Sequence, residues 1–181
     1  MLHPQAPADY LNIISRAVFS AGLRWAFIDA KWDAFEEAFD GFDPARVAAF
    51  DDPAIQRLTA DARLISSYKK MAATVENAKT LLAIEREHGS IRTWLDSFAS
   101  YADAAREVST RFKYLGKTFG AYYFLYISGA KIPDFPSFEA WSAQTGEVHP
   151  RMRELVAANE SRSVAEPTKK AQPSRRKHRS R

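Results

Sequence analysis

Apolar residues recur along most of this chain at spacings of three and four, the period of a helix with one buried face. Tyr10, Ile14, Ala17, Val18 and Ala21 fall on one stripe, with Asp9 placed as an N-cap acceptor and Gly22 as the stop. Trp32, Phe35 and Phe39 predict a second amphipathic helix that ends at Gly41. Two Asp-Pro-Ala steps follow, at Asp43-Pro44-Ala45 and Asp52-Pro53-Ala54. Each joins a side-chain acceptor to a proline at the first helical position, where no backbone N–H is needed, and so predicts a short helix. The longest helix is predicted over 68–88, with Tyr68, Met71, Ala72, Val75, Ala78 and Leu82 buried and Gly89 at its end. Ser90 caps a short helix carrying Ile91, Trp94 and Leu95, and a polar stretch then runs through Arg111. An apolar helix is expected over about 117–128, another capped by Ser137 with Phe138 and Trp141, and a last one from Pro150 to about Asn159. No segment shows the strict alternation of a strand. The pattern predicts an all-α fold, with one helical domain over 1–159.

Composition narrows this picture. A chain of 181 residues, 46% hydrophobic and 13% aromatic, supports one well-buried core. Its longest apolar run, 119–132, is interrupted by Gly120, Ser128 and Gly129 and falls short of the roughly 18 residues a membrane span needs. The opening Met-Leu-His-Pro-Gln has no charged region followed by an apolar stretch, so a cytoplasmic protein is expected. The absence of cysteine removes disulfides, thiolate nucleophiles and Cys-bound metals. His3, His88, His149 and His178 stand far apart without metal-ligand spacing, and no metal or cofactor is expected.

The net charge of +4 is unevenly distributed. Residues 161–181 hold eight of the 26 Lys and Arg and one of the 22 Asp and Glu, which makes this tail +7 and leaves the rest at −3. Lacking apolar anchors, residues 160–181 are expected to be a disordered basic tail, able to attract polyanions without sequence preference. The body needs a local patch to do the same.

One such patch is suggested by Tyr114 to Thr118, Tyr-Leu-Gly-Lys-Thr, between two predicted helices. A tight hairpin leading into a helix N-terminus presents backbone N–H groups and positive dipole charge to an anion. Gly116 permits close approach, Leu115 pins the turn, and Lys113, Tyr114, Lys117 and Thr118 complete the candidate DNA-binding set. An ordinary corner between helices is the other reading of such a string.

Further stretches extend the pattern. Ala21 to Trp25 (AGLRW), the run from Lys31 to Ala48 (KW..FEEAF.GFDP..VA), the helix with Lys70 and Glu76 to Lys79 (ENAK), and Phe112 to Thr118 (FKYLGKT) resemble the 3-methyladenine DNA glycosylase I family in order and spacing. The resemblance covers roughly residues 9–134. It implies a single helix-hairpin-helix DNA glycosylase-like domain that hydrolyses the N-glycosidic bond of alkylated purines such as 3-methyladenine in duplex DNA. Such an enzyme extrudes its target base, so it needs an aromatic pocket. A cationic alkylated base stacks well on an electron-rich ring, and a carboxylate can stabilise the oxocarbenium-like transition state. The resemblance places Trp25 in the base pocket; plain core packing is its other reading. Tyr122 and Tyr126 are further candidates on the helix after the hairpin, where core packing is the commoner use of an aromatic. Asp134 follows Gly116 by 18 residues, close to where the wider superfamily carries its catalytic aspartate; its other reading is a turn or cap residue.

Departures from the family bear on activity. Ala17 stands where the family carries a base-reading glutamate, and Tyr114 replaces the hairpin's usual first glycine. The family's zinc ligands are cysteines and histidines; this chain has no cysteine, and Phe135 follows Asp134 where a histidine is common. The expectation is therefore a monomeric, metal-free, monofunctional glycosylase in DNA base-excision repair. The alternative is a catalytically inactive helix-hairpin-helix DNA-binding module.

Overall fold

A computed structural model describes residues 4–147 and 149–165, and every regular element among them is helical. In chain order these are α1 (Pro7–Ser20), α2 (Trp25–Asp29), α3 (Trp32–Ala38), a 3-10 turn (Asp40–Phe42), α4 (Pro44–Val47), α5 (Asp52–Ala60), α6 (Tyr68–His88), α7 (Ile91–Leu95), α8 (Tyr101–Arg111), α9 (Phe119–Ile127), α10 (Phe138–Thr145) and α11 (Pro150–Ala165).

Cap chemistry explains most boundaries. The Asp43 carboxylate accepts from the backbone N–H of Ala45 and Arg46, Ser90 accepts from Thr93, and Ser137 accepts from Ala140, each at the expected N-cap. Two caps differ from expectation. Asp9 sits inside α1 and reaches back to the N–H groups of Gln5 and Ala6 at 2.7 and 2.9 Å, so the helix begins earlier, at Pro7. α5 is capped by Asp51, and Asp52 is its first residue. The stretch read as polar before Arg111 contains α8, opened by Ser100, whose hydroxyl accepts from Asp103 N–H. α11 runs to Ala165, past the expected end at Asn159, and residues 166–181 of the expected basic tail lie outside the described residues.

α6 is the spine of residues 4–147, in contact with α1, α4, α5 and α7. Helices on several sides bury a wider face than a single stripe: Met71, Ala73, Thr74, Val75, Asn77, Ala78, Leu81 and Ile84. Tyr68, expected in that core, is instead exposed, and its hydroxyl donates to Asp52. Beside α6, rings from α1, α3 and the 3-10 turn pack into a buried cluster. Phe19 and Phe35 lie 4.5 Å apart, Trp32 and Phe42 5.4 Å, and Phe39 and Phe42 5.5 Å. The indole N–H of Trp32 donates to Asn12, which satisfies the one polar atom the cluster buries on that ring.

Candidate DNA-binding and base-recognition site

The hairpin between α8 and α9 has the conformation its sequence suggested, at a local cost. Gly116 takes φ of 78° and Tyr114 takes φ of 59°. The second value is the left-handed region that favours glycine, and it falls where the family's glycine is missing. Leu115 is buried between them, whereas Lys113, Tyr114, Gly116, Lys117 and Thr118 are exposed. Thr118 stands at the N-cap of α9 without capping it by its side chain. The hairpin thus turns two cationic side chains and the positive end of α9 to solvent, anchored by one leucine.

Two residues that sequence reading had not singled out lock this hairpin in place. Asn77, fully buried on α6, accepts from the N–H of Lys113 at 2.7 Å and donates to the Lys113 carbonyl at 3.1 Å. One side chain therefore satisfies both backbone polar groups where the chain leaves α8. Gly120 lets the turn lie directly on the first turn of α9. A Cβ built there would fall 1.2 Å from the Leu115 carbonyl oxygen, so no other residue fits. Gly120 lies inside an apolar run and reads as a helix interruption; only the three-dimensional approach reveals its role.

The same stripe of α6 anchors a second exposed turn. Lys70, Thr74 and Asn77 have the i, i+4, i+7 spacing of one helix face. The Lys70 ammonium donates to the carbonyls of Phe19 and Ala21 at 3.2 and 3.0 Å, closing the C-terminal end of α1, and burial lowers its pKa below the ordinary lysine value. Residues 21–24 then leave α1 as an exposed turn, with Leu23 40% accessible at its tip, and lead into Trp25 at the start of α2. Trp25 is itself buried, 9% exposed, and packs 5.2 Å from Tyr123 and 6.1 Å from Phe119, and those two rings stack 5.7 Å apart. α9 therefore carries the hairpin at its N-terminus and the neighbours of Trp25 on its first turns. The hairpin and the ring partners of Trp25 thus lie on one helix.

Asp134, Tyr122 and Tyr126 belong elsewhere. Tyr122 and Tyr123 are consecutive on α9, about 100° apart around the helix. Tyr122 is fully buried, 4.4 Å from Trp141 and 5.4 Å from Phe135, with its hydroxyl donating to the Pro136 carbonyl. Its assignment to a base pocket is corrected to core packing, because no face of the ring is open. Tyr126 stacks on Tyr122 on that same side, 6.0 Å away. Burial raises the pKa of Tyr122 well above the usual phenol range and pushes Tyr101 up to about 12, so neither serves as a base near neutral pH. The Asp134 carboxylate is exposed and accepts from the N–H of Tyr101 at 2.6 Å, at the first residue of α8. Tyr101 packs 6.1 Å from Tyr122. The proposed catalytic acid thus engages the start of α8, whose Tyr101 packs on Tyr122, whereas the proposed pocket wall packs on Tyr123. Ala17 is buried and offers only a methyl group where the resemblance would place a glutamate. Among the described residues no cluster of three His, Cys, Asp or Glu is arranged to hold a metal ion. Two surface clefts, one lined by Asp40, Asp51, Arg57 and Arg63 and one by Gln5, Tyr10, Glu85 and Arg92, do not include Trp25.

Among the described residues the fold is all-helical, and α6 ties down both the hairpin and the turn before Trp25. The model of the methyladenine glycosylase family matches residues 8–119, more than half of the chain, and the chain belongs to that family. Trp25, Lys70, Asn77 and the hairpin fall inside the matched residues; Tyr122, Tyr126 and Asp134 fall beyond them. The chain is 29% identical over 90 residues to DNA-3-methyladenine glycosylase 1 of Escherichia coli (strain K12), covering 50% of this chain and 48% of that protein. It is 31% identical over 88 residues to DNA-3-methyladenine glycosylase of Haemophilus influenzae, covering 49% and 48%. It thus matches about half the length of these relatives. Solved structures of 3-methyladenine DNA glycosylase I share the fold. The Staphylococcus aureus protein gives a TM-score of 0.62 at 23% identity over 75% of this chain and 86% of that one. A second gives 0.60 at 22% over 74% and 84%.

Proposed function

We propose that the chain is a monofunctional DNA glycosylase that removes alkylated purines such as 3-methyladenine from duplex DNA in base-excision repair. The observation that carries this reading is the shared anchoring of two exposed turns, one leading into the buried Trp25 and one forming the phosphate-gripping hairpin, by a single stripe of α6. The hairpin holds one DNA strand through Lys113, Lys117 and the N-terminus of α9. A target base leaves the stack, and its cationic ring stacks on the Trp25 indole, whose packing on Tyr123 and Phe119 fixes its plane. Leu23, exposed at the tip of the neighbouring turn, suits the gap left in the duplex. An alkylated purine is already a good leaving group, so water completes the hydrolysis, yielding free base and an abasic site. The Lys70 ammonium is held by two carbonyls, which leaves no reason to expect an imine and strand cleavage. In this reading the chain acts as a monomer in the cytoplasm, without metal or cofactor, and its partner is damaged duplex DNA.

Asp134 is assigned to holding α8, on the strength of its contact with Tyr101. The second reading, an inactive DNA-binding module, is favoured by the methyl group of Ala17 and by the engagement of Asp134 with the start of α8. Chromatography of bases released from methylated duplex DNA separates the two. The enzyme reading expects free methylated purine, lost in Trp25→Ala and partly kept in Trp25→Phe. No release from any lesion, with DNA binding intact, leaves only the binding module. An Asp134→Asn variant that stops release while keeping melting temperature and DNA affinity would restore that carboxylate as the electrostatic helper.

A further inference from the structure

The hairpin's anion-facing end is not empty of charge within the protein itself. The Thr118 hydroxyl, at the N-cap of α9, lies 3.4 Å from the Glu147 carboxylate. Glu147 is placed there by its own backbone. α10 ends in a left-handed Gly146, the N–H of Glu147 donates to the Thr145 hydroxyl at 3.3 Å, and its carbonyl accepts from Ser142. Both sides of its peptide are therefore tied to the last turn of α10, and the half-buried side chain is aimed at the hairpin. A carboxylate there enjoys the same dipole and hydroxyl that a DNA phosphate would use.

We infer that Glu147 is an internal competitor for the phosphate site, a residue that lowers the hairpin's affinity for the DNA backbone and so shortens the chain's residence on undamaged duplex. This rests on the proposed DNA-gripping role of the hairpin. When a phosphate docks at the start of α9, the Glu147 carboxylate must turn away or remain as a like charge close by. Two unit charges about 5–6 Å apart at a solvated surface correspond to roughly three- to tenfold in a binding constant. Non-specific binding consists almost wholly of backbone contacts, so it bears the full penalty. Binding at a lesion bears the same penalty at the hairpin and offsets it with base stacking.

The test is equilibrium binding of a short fluorescein-labelled undamaged duplex to the full chain over a range of salt. Glu147→Gln should tighten binding by roughly three- to tenfold at low salt. It should also steepen the salt dependence, because one more phosphate is neutralised without an opposing charge. Thr118→Val, which removes the hydroxyl but leaves the carboxylate, should not tighten it. A carboxylate that merely stabilises α9 would give Glu147→Gln a lower melting temperature and unchanged or weaker binding, and that result overturns the inference. Lys113→Ala and Lys117→Ala mark the difference from a failure of the underlying reading. If neither weakens binding, the hairpin is not the DNA contact and both proposals fall. If both weaken it while Glu147→Gln brings no gain, Glu147 alone has been misassigned.

Discussion

Replacing Asn77 with alanine isolates the clamp on the hairpin from the rest of the fold. The change deletes two hydrogen bonds, from Lys113 N–H at 2.7 Å and to the Lys113 carbonyl at 3.1 Å, inside a fully buried pocket on α6. A neutral bond nets about 1 kcal/mol, and a polar group left buried and unpaired costs about 1–3 kcal/mol. Water entering the vacated space offsets part of this, so the expected loss is about 2–4 kcal/mol. For a chain of this size that corresponds to a fall in melting temperature of about 5–15 °C. Urea titration measures the first and calorimetry the second. DNA affinity, taken where the variant is still folded, should fall with them, because the backbone that presents Lys113 and Lys117 is released. Asn77→Asp adds a check through pH. The new carboxyl keeps an acceptor for Lys113 N–H but meets the Lys113 carbonyl with a lone pair unless it is protonated. Its folded pKa is thereby raised above the unfolded value near 3.9. The stability it contributes is then fully present below the unfolded pKa and disappears as pH rises through the raised folded one. An Asn77→Ala protein within about 0.5 kcal/mol of the parent, the range of an inert surface change, would refute the clamp.

Other expectations are sharp enough to check singly. Gly120→Ala places a methyl 1.2 Å from the Leu115 carbonyl, so the hairpin must lift from α9; a fall in melting temperature together with loss of DNA binding is expected, and a silent substitution would contradict the close approach. Tyr114→Gly relieves a left-handed tyrosine whose ring is 56% exposed and should stabilise the chain by up to about 1 kcal/mol in urea titrations, whereas the β-branched Tyr114→Val should destabilise it by a similar amount. Asp134→Ala removes the acceptor at the start of α8 and should cost about 1 kcal/mol by the same measurement. Truncation after Ala165 removes seven of the eight basic residues of 161–181 and should flatten the salt dependence of DNA binding while leaving base release at saturation unchanged.

Local chemistry was legible wherever it set the outcome. Asp43, Ser90 and Ser137 cap helices as read, and the extent of α6 follows from its periodicity and Gly89. The shift from Asp52 to Asp51 reflects two adjacent aspartates with the same capping ability, which only the packing of α5 can choose between. α8 is hidden in a stretch that reads as polar because just Ala104 and Val108 are buried on it, too few for a convincing stripe. At the candidate site, Leu115 as anchor and Lys113 and Lys117 as exposed cations follow from local sequence. Asn77 and Gly120 do not, since their roles lie 36 and five residues away in the chain. Tyr122 and Tyr123 carry identical side chains on one helix, and sequence alone cannot tell which of them meets Trp25 and which fills the core.

The central claim is that a face built from Trp25 and the hairpin removes an alkylated base. Its most direct test is a single-turnover measurement of free 3-methyladenine released from a methylated duplex by excess full-length chain. Release well above that from DNA alone is expected, abolished by Trp25→Ala and slowed at limiting protein by Lys117→Ala. Release that persists undiminished in Trp25→Ala, or none from a protein that still binds the duplex through its hairpin, would contradict it.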